Sequence, residues 1–178
     1  MATELLRGNY NKDVMHRSFM LWPTVAAQFR RIWSCLSKQT GVDNPVIIEI
    51  GTFRGLSTVA LARFGIVYTY DIVAQPECKR IWRAEGVAHR IQQSVVQAAV
   101  QRSDLPESFQ AAFIDGEHTH SAVTSDFEAV KECGLVVFDD VTVQFPGVVR
   151  FVNELKFNEP GTVLHYGRFA VWWRADKC

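Results

Sequence analysis

Three aspartates follow short apolar runs: Asp115 closes Ala-Ala-Phe-Ile-Asp, and Asp139 and Asp140 close Leu-Val-Val-Phe-Asp-Asp. Such runs read as buried strands, and in a parallel sheet the carboxyl ends of the strands line one edge. The three carboxylates are therefore expected close together, where their repulsion has to be offset. A hard divalent cation such as Mg²⁺, held through oxygen, would offset it; the alternative is that one aspartate caps a helix and another faces water. The loop Gly116-Glu-His-Thr-His120 follows Asp115 directly. His118 can reach the same cleft, and its unperturbed pKa near neutrality makes it a candidate general base. It reads equally as a loop residue making one backbone hydrogen bond, and so does His120. Glu117 is at most a spare oxygen ligand.

A second constellation lies upstream, in Val46-Ile-Ile-Glu-Ile-Gly-Thr-Phe-Arg-Gly-Leu-Ser-Thr-Val-Ala-Leu-Ala62. Val46 to Ile50 suits a strand covered on both faces, and Gly51 and Gly55 allow a tight turn and close backbone approach to a ligand. Ser57 or Thr58 could cap the helix that follows, leaving its first N–H groups and positive dipole end facing whatever sits over the turn. That suits a nucleotide-like cofactor, although glycine at a strand-to-helix turn is also ordinary punctuation. Asp71 ends the run Ile66-Val-Tyr-Thr-Tyr-Asp, twenty residues after Gly51. An acid there can accept hydrogen bonds from ribose hydroxyls, or serve as a solvated turn residue.

The elements that must position these groups follow from hydrophobic spacing. Residues Asp13 to Gln39 carry apolar positions at helical intervals on both sides of Pro23, predicting two amphipathic helices broken near Trp22-Pro23. After the first strand and helix come a second strand ending at Asp71, a short helix from Pro76 to about Ala84, a short third strand Arg90–Ser94 and a helix over Val95–Arg102. Phe109–Ile114 predicts the fourth strand, Val123, Phe127 and Val130 the next helix, and Gly134–Phe138 the fifth strand. Pro146 opens a helix carrying Val148, Val149, Val152 and Leu155. Thr162–Tyr166 and Phe169–Trp173 then pair around Gly167 as an antiparallel hairpin. The alternation implies a mainly parallel sheet with helices on both faces. One domain is expected over residues 1–178, with an N-terminal helical segment over 1–40 and an α/β core over 46–174.

Composition narrows the partner. The 178 residues are 48% hydrophobic and 21% charged, and 19 basic side chains balance 19 acidic ones. There is no bulk electrostatic reason to expect nucleic acid or an anionic membrane surface. A small molecule is the expected partner, and a homo-oligomer is compatible. The four cysteines form no Cys-x-x-Cys pair, which argues for a reducing compartment. With no apolar h-region and no run of membrane-spanning length, the cytoplasm is the expected location.

The segment IEIGTFRGLSTVALA resembles the first motif of class I S-adenosylmethionine-dependent methyltransferases, in particular the cation-dependent O-methyltransferase branch. FIDGEHTHSAVTSDF and VVFDDVTVQFPGVVRFVNEL are similar to the paired strand-end motifs of the related small methyltransferase group. The matches span about residues 46 to 156. The resemblance implies a Rossmann-like methyltransferase fold, a seven-stranded sheet of order 3-2-1-4-5-7-6 with an antiparallel last strand. It places Glu49, Gly51, Thr52, Phe53, Gly55 and Ser57 around the amino-acid end of S-adenosylmethionine, Asp71 on its ribose, and Ser94 beside its adenine, with Asp115 also on the cofactor side. It matches Asp115, Asp139 and Asp140 to the cation positions. The lysine that catechol-type enzymes carry after the fourth-strand aspartate is absent, which leaves His118, with Asp115, as the catalytic candidates. The implied activity is in-line transfer of a methyl group to a hydroxyl of a small molecule. The alternatives are the same fold running another metal-assisted reaction, and an S-adenosylmethionine-binding accessory protein without turnover.

Overall fold

Five apolar runs of four to six residues become strands in the computed structural model, which describes residues 23–34 and 41–174. In chain order the elements are α1 (Pro23–Trp33), β1 (Val46–Ile50), α2 (Leu56–Leu61), β2 (Ile66–Asp71), α3 (Pro76–Ala84), β3 (Ile91–Val95), β4 (Ala111–Ile114), α4 (His120–Val130), β5 (Leu135–Phe138), α5 (Pro146–Asn158), β6 (Thr162–Tyr166) and β7 (Phe169–Trp173). The strands form one seven-stranded sheet in the order β3-β2-β1-β4-β5-β7-β6. β1 through β5 pair in parallel, while β7 runs antiparallel between β5 and β6. This is the expected order and hairpin.

Strands β4 and β5 are buried along their whole length, so their side chains divide between two cores. One face packs Ile48, Ile50, Phe127, Phe138, Phe151 and Trp172. There Phe127 sits edge-on to Trp172 at 5.0 Å and 5.4 Å from Phe151, geometry that adds about 0.5–1.5 kcal/mol per pair beyond burial. The other face packs Ile47, Leu61, Trp82, Phe113, Val137 and Phe169, closed by Trp33 of α1 standing edge-on to Phe113 at 6.4 Å.

Register carries the strand ends to one edge. Ile50 pairs with Tyr70 and Ile114, and Ile114 with Phe138. The next residues are stitched as well: Gly51 N–H donates to Tyr70 O at 2.8 Å, Asp115 N–H to Ile50 O at 2.8 Å, and Asp139 N–H to Ile114 O at 3.0 Å.

One expectation changes, and one is described only in part. Val95 ends β3, and the segment predicted as a helix over Val95–Arg102 is irregular, ending in a 3₁₀ turn at Arg102–Asp104 where the Asp104 carboxylate accepts Gln101 N–H. Of that segment only Val100 is buried, so no apolar stripe held a helix against the core. Of the two N-terminal helices, α1 begins at Pro23; the segment from Asp13 to Trp22 lies outside the described residues. Among the described residues Cys78 and Cys133 are free thiols, and no helix is long and apolar enough to cross a membrane.

Candidate active site

The turn after β1 takes its shape from two glycines. Gly51 has φ +100, and a Cβ there would stand 2.0 Å from the Asp115 carbonyl oxygen. The missing side chain thus lets β1 press against the Asp115–Gly116 peptide, whereas the sequence suggested room for a ligand. Gly55, at φ +72, is the residue that caps α2, and Trp82 fills the space beside it and donates Nε1–H to Gly55 O at 3.0 Å. Ser57 and Thr58, expected as caps, lie inside the first turn of α2 and are buried.

They face Glu49. This glutamate has no exposed surface, and its Oε2 accepts from Thr58 Oγ1 at 2.5 Å and Thr69 Oγ1 at 2.6 Å. Thr69 spends its proton there, so Thr52, 2.6 Å away, donates to Thr69 Oγ1. Burial pushes the Glu49 carboxyl up to about 7 against the pull of the Ser57, Thr58 and Thr69 hydroxyls. Glu49, Thr52 and Ser57 thus lie behind the turn and hold it, and do not line its open side.

The open side belongs to Asp71 and its neighbours. Asp71 Oδ2 accepts Phe53 N–H at 2.7 Å, which ties the end of β2 to the crest of the turn. Phe53 (57%), Ile72 (69%), Val73 (50%) and Val95 (52%) are all exposed, and Val95 is the β3 register partner of Asp71. Apolar side chains left in water around one carboxylate suit a ligand with a flat apolar ring and adjacent hydroxyls. Ser94, exposed on β3, is one residue farther back in the same register.

At the next strand ends the acidic residues separate into two kinds. Asp115, His118 and Asp140 bring one ligand atom each within 4.8 Å of the others. His118 Nε2 stands 3.0 Å from Asp140 Oδ2 and 3.5 Å from Asp115 Oδ1. Asp139 does not join them, although it was expected as a ligand: its Oδ1 takes the Arg168 guanidinium at 2.5 Å and the Asp140 N–H at 2.6 Å. Arg168 reaches Asp140 Oδ1 as well. Burial and the Asp115 charge push Asp139 up, with Arg168 opposing. Burial, and more weakly the Asp140 charge, also raises Asp115.

The carboxylates of Asp115 and Asp140 hold the His118 imidazole up at about 9. At neutral pH that ring carries its proton, so on its own it donates where the sequence suggested a base. Its face is covered by Phe145, 4.2 Å away between centroids. Its loop is pressed by α5, since a Cβ on Gly147 would stand 2.6 Å from His118 O. His120 is turned away, 2.7 Å from Glu154.

A divalent cation fits this set. His118 Nε2 and Asp140 Oδ2 are shielded from water and meet each other, with Asp115 Oδ1 3.5 Å from the ring nitrogen. Their 3.0 Å separation matches the roughly 3 Å between adjacent donors around an ion that binds them at about 2.1 Å. With all three aspartates ionised and His118 neutral, one guanidinium leaves two negative charges. Arg168, which sequence reading missed, is what sets that count.

Comparison with known proteins gives the same frame. A family model described as a methyltransferase domain matches residues 48–141. No curated protein matches the chain by sequence. Among solved structures, the O-methyltransferase TomG from Streptomyces achromogenes, in complex with SAM and involved in tomaymycin synthesis, is 23% identical at a TM-score of 0.65, over 89% of this chain and 85% of that one. An O-methyltransferase from Bacillus cereus in complex with SAH is 19% identical at 0.64, over 97% and 95%. An rRNA methylase from Streptococcus thermophilus is 12% identical at 0.63, over 87% and 98%.

Proposed function

The chain belongs to the methyltransferase-domain family, and on that premise we propose that it transfers the methyl group of S-adenosylmethionine to a hydroxyl of a small molecule with the help of a divalent cation. The observation that carries the reading is the trio of donor atoms from Asp115, His118 and Asp140, all within 4.8 Å of one another and the last two shielded from water, one strand from the Gly51 turn.

S-adenosylmethionine, when bound, supplies the methyl group on a sulfonium. Asp71 would hold ribose hydroxyls with the lone pairs that Phe53 N–H and Val73 N–H leave open, while Phe53, Ile72, Val73 and Val95 would cover the adenine. The Gly51–Gly55 turn, held from behind by Glu49, would carry the amino-acid end. Asp115, His118 and Asp140 would hold the cation, whose Lewis acidity lowers the pKa of an acceptor hydroxyl. His118 gives up its proton to serve as a donor, so cation binding is expected to release a proton near neutral pH. Asp115, partly exposed and offering the cation one oxygen, has a second carboxylate oxygen that would take the acceptor proton. Phe145 and the fully exposed Val143 flank the place where the acceptor would lie.

Two measurements test this. S-adenosylhomocysteine should bind in calorimetry, and Asp71→Ala should weaken it by about 10- to 100-fold, the worth of charge-assisted hydrogen bonds of about 1.5–3 kcal/mol; unchanged affinity would remove Asp71 from the cofactor site. Mg²⁺ or Mn²⁺ at about a hundred times its Kd should add roughly 2.7 kcal/mol of stability, because it binds only the folded state. The melting temperature should then rise by about 5–11 °C. Asp140→Asn should abolish the rise, and a wild-type melting temperature indifferent to both ions sinks the cation.

A further inference from the structure

Asp139 and Asp140 are adjacent in sequence, and one guanidinium gives them different tasks. Arg168 Nε donates to Asp139 Oδ1 at 2.5 Å while Nη2 donates to Asp140 Oδ1. The Asp140 backbone lies in the left-handed region at φ +57, a conformation that aspartate tolerates better than most side chains. Asp140 N–H reaches back to Asp139 Oδ1 at 2.6 Å, and Val141 N–H is bound by Arg168 O at 2.8 Å. The arginine itself is anchored one residue before β7, where Phe138 pairs with Ala170, and Gln28 of α1 fills the space beside Gly167. The outcome is asymmetric: Asp140 Oδ1 is taken by the guanidinium, while Oδ2 is shielded from water and meets His118 Nε2 at 3.0 Å.

We propose that Arg168 is the positioning residue that makes Asp140 a one-oxygen donor, and that it thereby selects a small transition cation such as Mn²⁺ over Ca²⁺. This rests on the reading that the site takes a divalent cation. Ca²⁺ gathers six to eight oxygens at about 2.3–2.6 Å and often uses both oxygens of a carboxylate. A carboxylate with one oxygen tied to a guanidinium is a poorer bidentate ligand, because one lone pair and part of the charge of that oxygen are already engaged. The imidazole of His118 adds a donor that suits first-row transition ions better than Ca²⁺. The arginine cannot be replaced by lysine in this role, because a single ammonium does not bridge two carboxylates in the fixed fork that a guanidinium presents.

The test turns on a sign. Removing a positive charge beside a cation site raises cation affinity by Coulomb's law alone, whereas losing the alignment of Asp140 lowers it. Mn²⁺ titrations of the full chain, read by the electron paramagnetic resonance of free Mn²⁺ with Ca²⁺ as competitor, should show Arg168→Gln and Arg168→Lys losing about 10- to 100-fold in Mn²⁺ affinity. Ca²⁺ affinity should fall less, so that the Mn²⁺/Ca²⁺ preference narrows. Circular dichroism checks that each variant is folded. Should the single variants unfold, Arg168→Gln with Asp139→Asn removes the stranded carboxylate and carries the same expected sign. Equal or tighter Mn²⁺ binding in the variants, or an unchanged preference, overturns the role of Arg168 while leaving the cation reading in place. A wild-type chain that takes up no Mn²⁺ overturns both.

Discussion

Gly51→Ala is expected to lower stability by about 4 kcal/mol and the melting temperature by about 8–16 °C, a loss at the upper end for a single methyl group. Two causes add. The backbone at φ +100 disfavours any Cβ, and this Cβ would fall 2.0 Å from Asp115 O and 2.5 Å from Asp115 C, atoms that cannot swing aside as a side chain would. Gly86 supplies the control, because it has φ +71 and nothing within 4 Å of its virtual Cβ. Gly86→Ala should cost only the backbone part, about 1–2 kcal/mol. Equal melting temperatures for the two variants would mean that β1 does not press on the Asp115 peptide. The same displacement would move Asp115 from His118, so any folded fraction of Gly51→Ala should also have lost its cation response.

Glu49→Gln is expected to gain on the wild type as pH rises. The Glu49 carboxyl ordinarily titrates at 4.5 and is pushed up to about 7 by burial in the folded chain. Its folded state therefore holds the proton more tightly than the unfolded chain. The stabilisation this gives is fully present below pH 4.5 and is lost as pH climbs through 7, a change of about 3 kcal/mol. Glutamine keeps an acceptor for Thr58 and Thr69 without titrating. The difference in melting temperature, variant minus wild type, should shift by about 6–12 °C in favour of the variant between pH 4.5 and pH 8. Titrations elsewhere occur in both proteins and cancel. A difference that stays flat across this range would mean that Glu49 is not buried ionisable in the way its surroundings imply.

The strand ends were legible because burial on both faces leaves an unbroken apolar run, and the run stops where the chain turns. Asp71, Asp115 and Asp139 each follow such a run, and the register sets them along one edge. Which aspartate faces which partner was not legible. Asp139 and Asp140 are one residue apart, and their division depends on an arginine far along the chain with no local pattern of its own. A signal for it did exist: β7 pairs antiparallel with β5, so the residue before Phe169 has to arrive beside the residues after Phe138. The start of α2 was misread for a different reason. Ser57 and Thr58 have the right chemistry for caps, but Glu49 competes for their hydroxyls from inside the core. The orientation of His118 depends on Phe145, the residue before α5, and on the pressure of Gly147 within it, neither visible in the loop itself.

The placement of Arg168 next to β7 also bears on the order in which the molecule can be completed. Until Phe169–Trp173 docks, β5 presents an unpaired edge of four apolar residues, the kind of edge on which chains associate. Because the guanidinium immediately precedes the docking strand, closing the sheet and delivering the countercharge to Asp139 and Asp140 are a single step. A chain whose sheet is unfinished therefore cannot assemble the charge balance of the site, and ion uptake would report the docking of that strand.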